Sequence, residues 1–223
     1  MVFLAVCVSI LSFFINRTLN ASEIFDNSIH SIVEIRAYKE GIGESLGTAE
    51  FINKEGILIT NAHVVTYSKL GETLTFDKIS IRFACDENFV DVELVKYNTE
   101  IDIAVLKMSE TKHKFKPLKL GDASIMKSGD KVYAIGNSAG YGLSMAEGVV
   151  GIPQINIKYD GKTRKVIQSS INITDGNSGG ALLDEYGNLV GITSFRTRDL
   201  NGNVIYGISY SVPINTVVEY INN

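Results

Sequence analysis

The chain has 223 residues, 21 Lys and Arg against 25 Asp and Glu, a formal charge of −4 and a pI near 5.4. Nucleic-acid binding calls for clustered basic residues, and this balance argues against it. Apolar residues make up 45%, ample for a core in one large β domain or in two half-sized lobes sharing a cleft.

Cysteine is sparse: Cys7 lies in an apolar N-terminal run and Cys85 stands alone. Neither has metal-site neighbours, so no metal or other cofactor is expected, and Cys85 reads as an inert half-buried thiol. Residues 2–15 are apolar except for Ser9 and Ser12. This is short of the ~20 residues that span a bilayer, but it suits the apolar centre of a signal peptide. Asn20-Ala21-Ser22 supplies small residues for cleavage, although no Lys or Arg precedes the run and Leu19 is a poor residue before a cut. Residues 1–21 are therefore expected to be a signal peptide, with an uncleaved membrane anchor as the alternative. The mature protein would be exported: periplasmic, secreted or anchored at the outer face. Membrane association is expected only if the segment is retained.

From residue 22 the pattern is mostly β. A helical turn capped by Ser22 is expected first, then a strand over residues 29–38, where alternation has a period of two. Residues 41–47 read as a glycine turn, 49–52 and 56–60 as strands, and 78–83 and 89–97 as two more. Ile101-Asp102-Ile103-Ala104-Val105-Leu106-Lys107 is an apolar strand with an acid at its mouth. Residues 109–130, with Lys112-His113-Lys114 and Pro117, are the looser stretch expected to link two halves. Strands follow at 131–135, 143–151, 166–169, 181–183, 189–195 and 204–212, separated by glycine turns. Pro213 is expected to open a short C-terminal helix over 213–222. Many short strands with helix only at the ends predict an all-β barrel or sandwich pair.

Three residues draw attention together. Ser178 sits among glycines in Thr174-Asp175-Gly176-Asn177-Ser178-Gly179-Gly180-Ala181, where backbone amides are free to face an oxyanion. A polar turn would use the same letters. His63 ends a strand in Thr60-Asn61-Ala62-His63-Val64-Val65, and taken alone it reads as a satisfied core histidine. Asp102 taken alone reads as an edge-strand acid, though a carboxylate there is costly unless paired. His63, Asp102 and Ser178 in that order, two before the looser stretch and one after it, are what a two-lobed hydrolase needs.

These three segments resemble the trypsin-like serine protease superfamily, and more closely its HtrA (Deg) type. The stretches 120–124 and 129–137 and Asn188-Leu189-Val190-Gly191-Ile192 are also similar to that family, so the resemblance covers about residues 25 to 221. It implies two six-stranded antiparallel β-barrels, about 28–110 and 128–212, within a protease domain spanning 22–223. It also implies a serine endopeptidase acting on polypeptides, in particular unfolded or damaged proteins. Ser178 would be the nucleophile, His63 the base and Asp102 its orienting acid, with the amides of Gly176 and Ser178 as oxyanion hole. Asn172, Thr193, Ser194 and Phe195 would line the pocket for the residue before the scissile bond. No acid stands at Asn172, and neither His30 nor His113 lies near the pocket segments, so a small-to-medium apolar residue is expected there. HtrA chains usually continue into PDZ domains. This sequence stops at Asn223, so regulation by such a module is not expected, and the oligomeric state is left open. The alternative is a peptide-binding, chaperone-like or latent protein that holds extended chains in the same cleft without efficient hydrolysis.

Overall fold

The computed structural model describes residues 17–84, 86–109, 115–199 and 201–223. The apolar N-terminal run, the Cys85 thiol and the Lys112-His113-Lys114 portion of the expected linker lie outside the described residues. Among the described residues, no helix is long and apolar enough to cross a membrane.

Helix α1 (Ala21–Ser28) starts the described body. Its N-cap is Asn20 rather than the expected Ser22, because the glutamate that completes a capping box, Glu23, stands three places after Asn20. Asn20 Oδ1 accepts from Glu23 N–H at 3.0 Å, and the Glu23 carboxylate accepts from Asn20 N–H at 2.9 Å. Just before it, Leu19 N–H donates to Glu185 O at 2.8 Å, and the Leu19 side chain packs against the core.

Strands β1 (Ile32–Lys39), β2 (Gly43–Phe51) and β3 (Ile57–Thr60) form an antiparallel run. The expected glycine turn at 41–47 is shorter than the sequence suggested. Gly43 to Gly47 pair across to β1, with Gly47 opposite Ile35. A one-turn helix α2 (Ala62–Val65) follows, then a small hairpin of β4 (Thr66–Lys69) and β5 (Glu72–Thr75) that the sequence did not signal. Strand β6 (Lys78–Phe83) pairs with β1 on its other side. The expected strand at 89–97 is interrupted: β7 (Val90–Asp91) pairs with β6, and β8 (Glu93–Asn98) pairs with β9 (Ile103–Lys107). The sheet order is β7-β6-β1-β2-β3-β9-β8. Since β7 and β8 are consecutive pieces of one extended segment at opposite edges, that segment closes the sheet on itself. Counted so, the first barrel has the expected six strands. Phe51, Leu58, Ile35, Ile81 and Leu106 fill it.

The second barrel closes outright, in the order β10 (Lys131–Asn137), β11 (Leu143–Tyr159), β12 (Lys162–Ser169), β15 (Val204–Pro213), β14 (Leu189–Arg198) and β13 (Ala181–Asp184). Strand β11 continues well past the expected end at 151. Register shifts between Val150 and Ile152 and between Ile152 and Ile155 absorb Gly151 and Pro153, and β11–β12 projects as a long hairpin. Pro213 lies at the cap, not within helix α3 (Ile214–Asn222). Arg164 on β12 clamps the lobes, its Nε donating to Glu100 O at 3.1 Å and its Nη2 to Thr99 O at 3.0 Å.

Candidate active site

His63 projects from α2, which forms because β3 must turn sharply once it has paired with β9. Thr66 Oγ donates to Ala62 O at 2.8 Å and closes the turn. Asp102 immediately precedes β9 and has φ +59, a left-handed conformation that aspartate tolerates better than most residues. Asn61 Nδ2 donates to Asp102 O at 2.8 Å and holds that backbone in place. The carboxylate then meets His63 twice: it accepts from the backbone N–H at 3.1 Å, and lies 3.0 and 2.9 Å from Nδ1 through its two oxygens. With the Nδ1 proton held by the carboxylate, Nε2 carries the lone pair and faces outward on a half-exposed ring.

Asp102 itself is 2% exposed. Burial pushes its carboxyl pKa up, but the charge and hydrogen bond of His63, a hydrogen bond from Ser194 and the Arg164 charge outweigh this and hold it below 3.8. Ser194 donates its Oγ–H to Asp102 Oδ2 at 2.6 Å from β14, across the lobe boundary.

Ser178 stands at the end of the turn before β13. Gly176 has φ +92 and Gly179 φ +82, and a Cβ on either would lie 2.1 Å from a neighbour, Asn137 O or Thr60 Oγ1 respectively. The loop is tied from both lobes. Thr48 of β2 donates its Oγ–H to Gly176 O at 2.8 Å and accepts from Asn137 N–H at 2.9 Å, while its own N–H donates to Ser178 O at 2.9 Å. Asp175 O accepts from Ala139 N–H at 2.7 Å. The carbonyl and N–H of a trans peptide point opposite ways, so this bond turns the Gly176 N–H away from Ala139. Among the described residues, the N–H groups of Gly176 and Ser178 make no hydrogen bond. The Ser178 hydroxyl donates to Ser194 O at 2.9 Å and makes no bond to His63.

His63, Asp102 and Ser178 line one cavity of about 530 Å³, together with Ser194 and Phe195. Two other expected pocket residues stand elsewhere. Asn172 is exposed, its Oδ1 accepting from Gly207 N–H at 2.8 Å, and Thr193 is buried behind the serine loop, its Oγ–H donating to Asn177 O at 2.6 Å. The cavity wall is instead completed by Ile173, Thr174, Asp175 and Arg196, with Tyr159, Asp160, Arg164 and Arg198 along its rim. Of these, sequence reasoning missed the arginines, Tyr159 and Asp160, and it also missed Thr48 behind the serine loop; none carries a local signature. The Asp102 contact of Ser194 was equally hidden, since it joins residues 92 apart.

Residues 47–192 match the family profile described as Trypsin-like peptidase domain. The chain belongs to the trypsin-like peptidase family. Among curated members it is 29% identical over 189 residues to Protease Do-like 5, chloroplastic, of Arabidopsis thaliana, covering 80% of this chain and 56% of that protein. To Serine protease Do-like HtrA of Lactobacillus helveticus it is 28% identical, covering 88% of this chain and 46% of that protein. The HtrA-type protease AlgW with tripeptide superposes with a TM-score of 0.78 at 27% identity, covering 92% of this chain and 63% of that chain. This trypsin-like peptidase chain spans about half the length of the curated relatives it matches.

Proposed function

We propose that this chain is a serine endopeptidase that cleaves peptide bonds through Ser178, His63 and Asp102. The observation that carries the reading is the convergence, in one cavity, of a carboxylate-oriented imidazole from the first barrel with the Ser178 hydroxyl from the second, next to a loop whose Gly176 and Ser178 amides make no hydrogen bond among the described residues. In the reaction Ser178 Oγ attacks the scissile carbonyl carbon while His63 Nε2 takes its proton. Asp102 keeps Nδ1 protonated and stabilises the imidazolium. The N–H groups of Gly176 and Ser178 hold the oxyanion, a contribution of about 3 kcal/mol per donor in such sites. The tetrahedral intermediate collapses as His63 returns the proton to the leaving amine. Water then attacks the acyl-enzyme with His63 again as base, which releases the acid and restores the Ser178 hydroxyl. The described Ser178–Ser194 bond requires the hydroxyl to rotate toward His63 first. That rotation suits a resting enzyme that aligns its nucleophile when a substrate chain fills the cleft.

The substrates we propose are unfolded polypeptides, which can lie extended along β14. Relatives named HtrA-type with a bound tripeptide or decapeptide support a polypeptide substrate. Export is also proposed, in keeping with relatives named periplasmic or chloroplastic. The test compares the wild type with Ser178→Ala on casein and with an organophosphonate probe. Cleavage and labelling by the wild type, both lost in the variant, are expected. Neither activity in the wild type would sink the reading.

A further inference from the structure

In the cleft, three arginines face the carboxylates of Asp102, Asp160 and Asp175. Arg164, Arg196 and Arg198 all line it. Arg164 and Arg198 are held by neutral backbone carbonyls: Glu100 O and Thr99 O for the first, Gly202 O for the second. Neither is hydrogen-bonded to a carboxylate, although the Arg164 charge acts on Asp102. Arg196 lies two residues beyond Ser194 on β14, so its backbone stands about 7 Å from the carbonyl that receives the Ser178 hydroxyl. Its side chain crosses the slot to the opposite wall, donating from Nη1 to Ile173 O at 3.2 Å and from Nη2 to Asp175 Oδ1 at 2.9 Å. The guanidinium thus spans the two walls beside Ser178.

We propose that Arg196 is a specificity-determining residue that selects an acidic side chain, Glu or Asp, immediately before the scissile bond. This rests on the peptidase reading and names the substrate class for the same site. It departs from the apolar preference the sequence suggested, because Arg196 enters the slot from β14 and leaves no trace at Asn172. The Arg196 side chain is 20% exposed, whereas its acidic partner Asp175 is 93% exposed. An ion pair with so wet a partner is worth little. A substrate carboxylate entering the sheltered slot can displace Asp175 and take a two-pronged bond from the guanidinium. Asp175 then returns to water at little cost. The same pair works against uncharged residues, which leave the Arg196–Asp175 bond in place across the slot.

The test measures kcat/KM for labelled extended peptides that differ only in Glu, Gln or Val before the cleaved bond. The wild type should favour Glu over Gln by about tenfold, as a charge-assisted bond implies. Arg196→Gln should bring that ratio to about one. Asp175→Asn, which removes the competing carboxylate from an exposed position, should raise it severalfold. A parallel binding series on Ser178→Ala reads the same Glu-to-Gln ratio as dissociation constants without hydrolysis. If the wild type cleaves nothing while Ser178→Ala binds Glu peptides about tenfold tighter, the peptidase reading fails and the acidic selectivity stands. Equal or tighter binding and cleavage of the Val peptide, or a ratio untouched by Arg196→Gln and Asp175→Asn, would overturn the proposal.

Discussion

Ser194 donates its hydroxyl to Asp102 Oδ2 at 2.6 Å, so a residue of the second barrel helps hold the acid of the first. Ser194→Ala removes one of the contacts that keep the Asp102 carboxyl below 3.8. A hydrogen bond to a charged group is worth about 1.5–3 kcal/mol. With part of that felt in the transition state, kcat/KM on a peptide substrate should fall by about tenfold. The titration of the Asp102 carboxyl, followed by NMR, should also move upward, because a less stabilised carboxylate protonates sooner as pH falls. Stability follows the same sign. The depressed Asp102 pKa stabilises the fold above the unfolded value and is lost as pH falls through the folded one.

Glu50 on β2 has the opposite behaviour. It is 0% exposed, and neither carboxylate oxygen has a hydrogen-bond partner. Burial pushes its pKa well above 4.5. The folded state therefore binds a proton that the unfolded state releases, and stability contributed by Glu50 falls as pH rises from about 4.5 toward the folded pKa. Glu50→Gln should match the wild type in acid and exceed its Tm increasingly at alkaline pH. Thermal melts across a pH series check this. A Tm difference independent of pH would count against it.

Gly179 has no room for a side chain. An alanine Cβ would lie 2.1 Å from Thr60 Oγ1 and 2.3 Å from Thr48 O, at a φ of +82. Strain of this kind costs about 1–3 kcal/mol before any clash is counted. Gly179→Ala should therefore lower stability by at least about 2 kcal/mol in urea unfolding, with loss of peptidase activity because the serine loop shifts.

Asn20 caps α1 reciprocally with Glu23. Asn20→Ala should cost about 1 kcal/mol, read by the shift in urea midpoint. Glu23→Gln should recover most of the difference from Glu23→Ala, since glutamine can also accept from the Asn20 N–H.

The strands with a period-two pattern were legible in the sequence, and so were the three residues that now share a cleft. Strand β9 was read over Ile101 to Lys107, two residues longer than the observed Ile103–Lys107, because its apolar run is continuous, and Ser178 because glycines crowd around it. The gap between β7 and β8 was not legible. It depends on Val92 N–H bonding to Ile79 O, a choice made by the neighbouring strand. Thr48 looks like any strand threonine until the second barrel docks and supplies Gly176 O and Asn137 N–H. Arg196 was overlooked for a related reason. Its long side chain acts on a wall formed by residues more than twenty positions earlier, and no local pattern marks that reach.

The bonds from Thr48 to Gly176 and from Ser194 to Asp102 both cross between the barrels. The apolar cluster of the second barrel takes in Ile32, Ile59, Ile103 and Val105 of the first, and the arrangement of His63, Asp102 and Ser178 belongs to neither barrel alone. Turnover is thus a gauge of how the two halves are seated. On heating, hydrolysis and the β-sheet circular dichroism signal should therefore fall together, because unseating the lobes would expose those buried side chains to water.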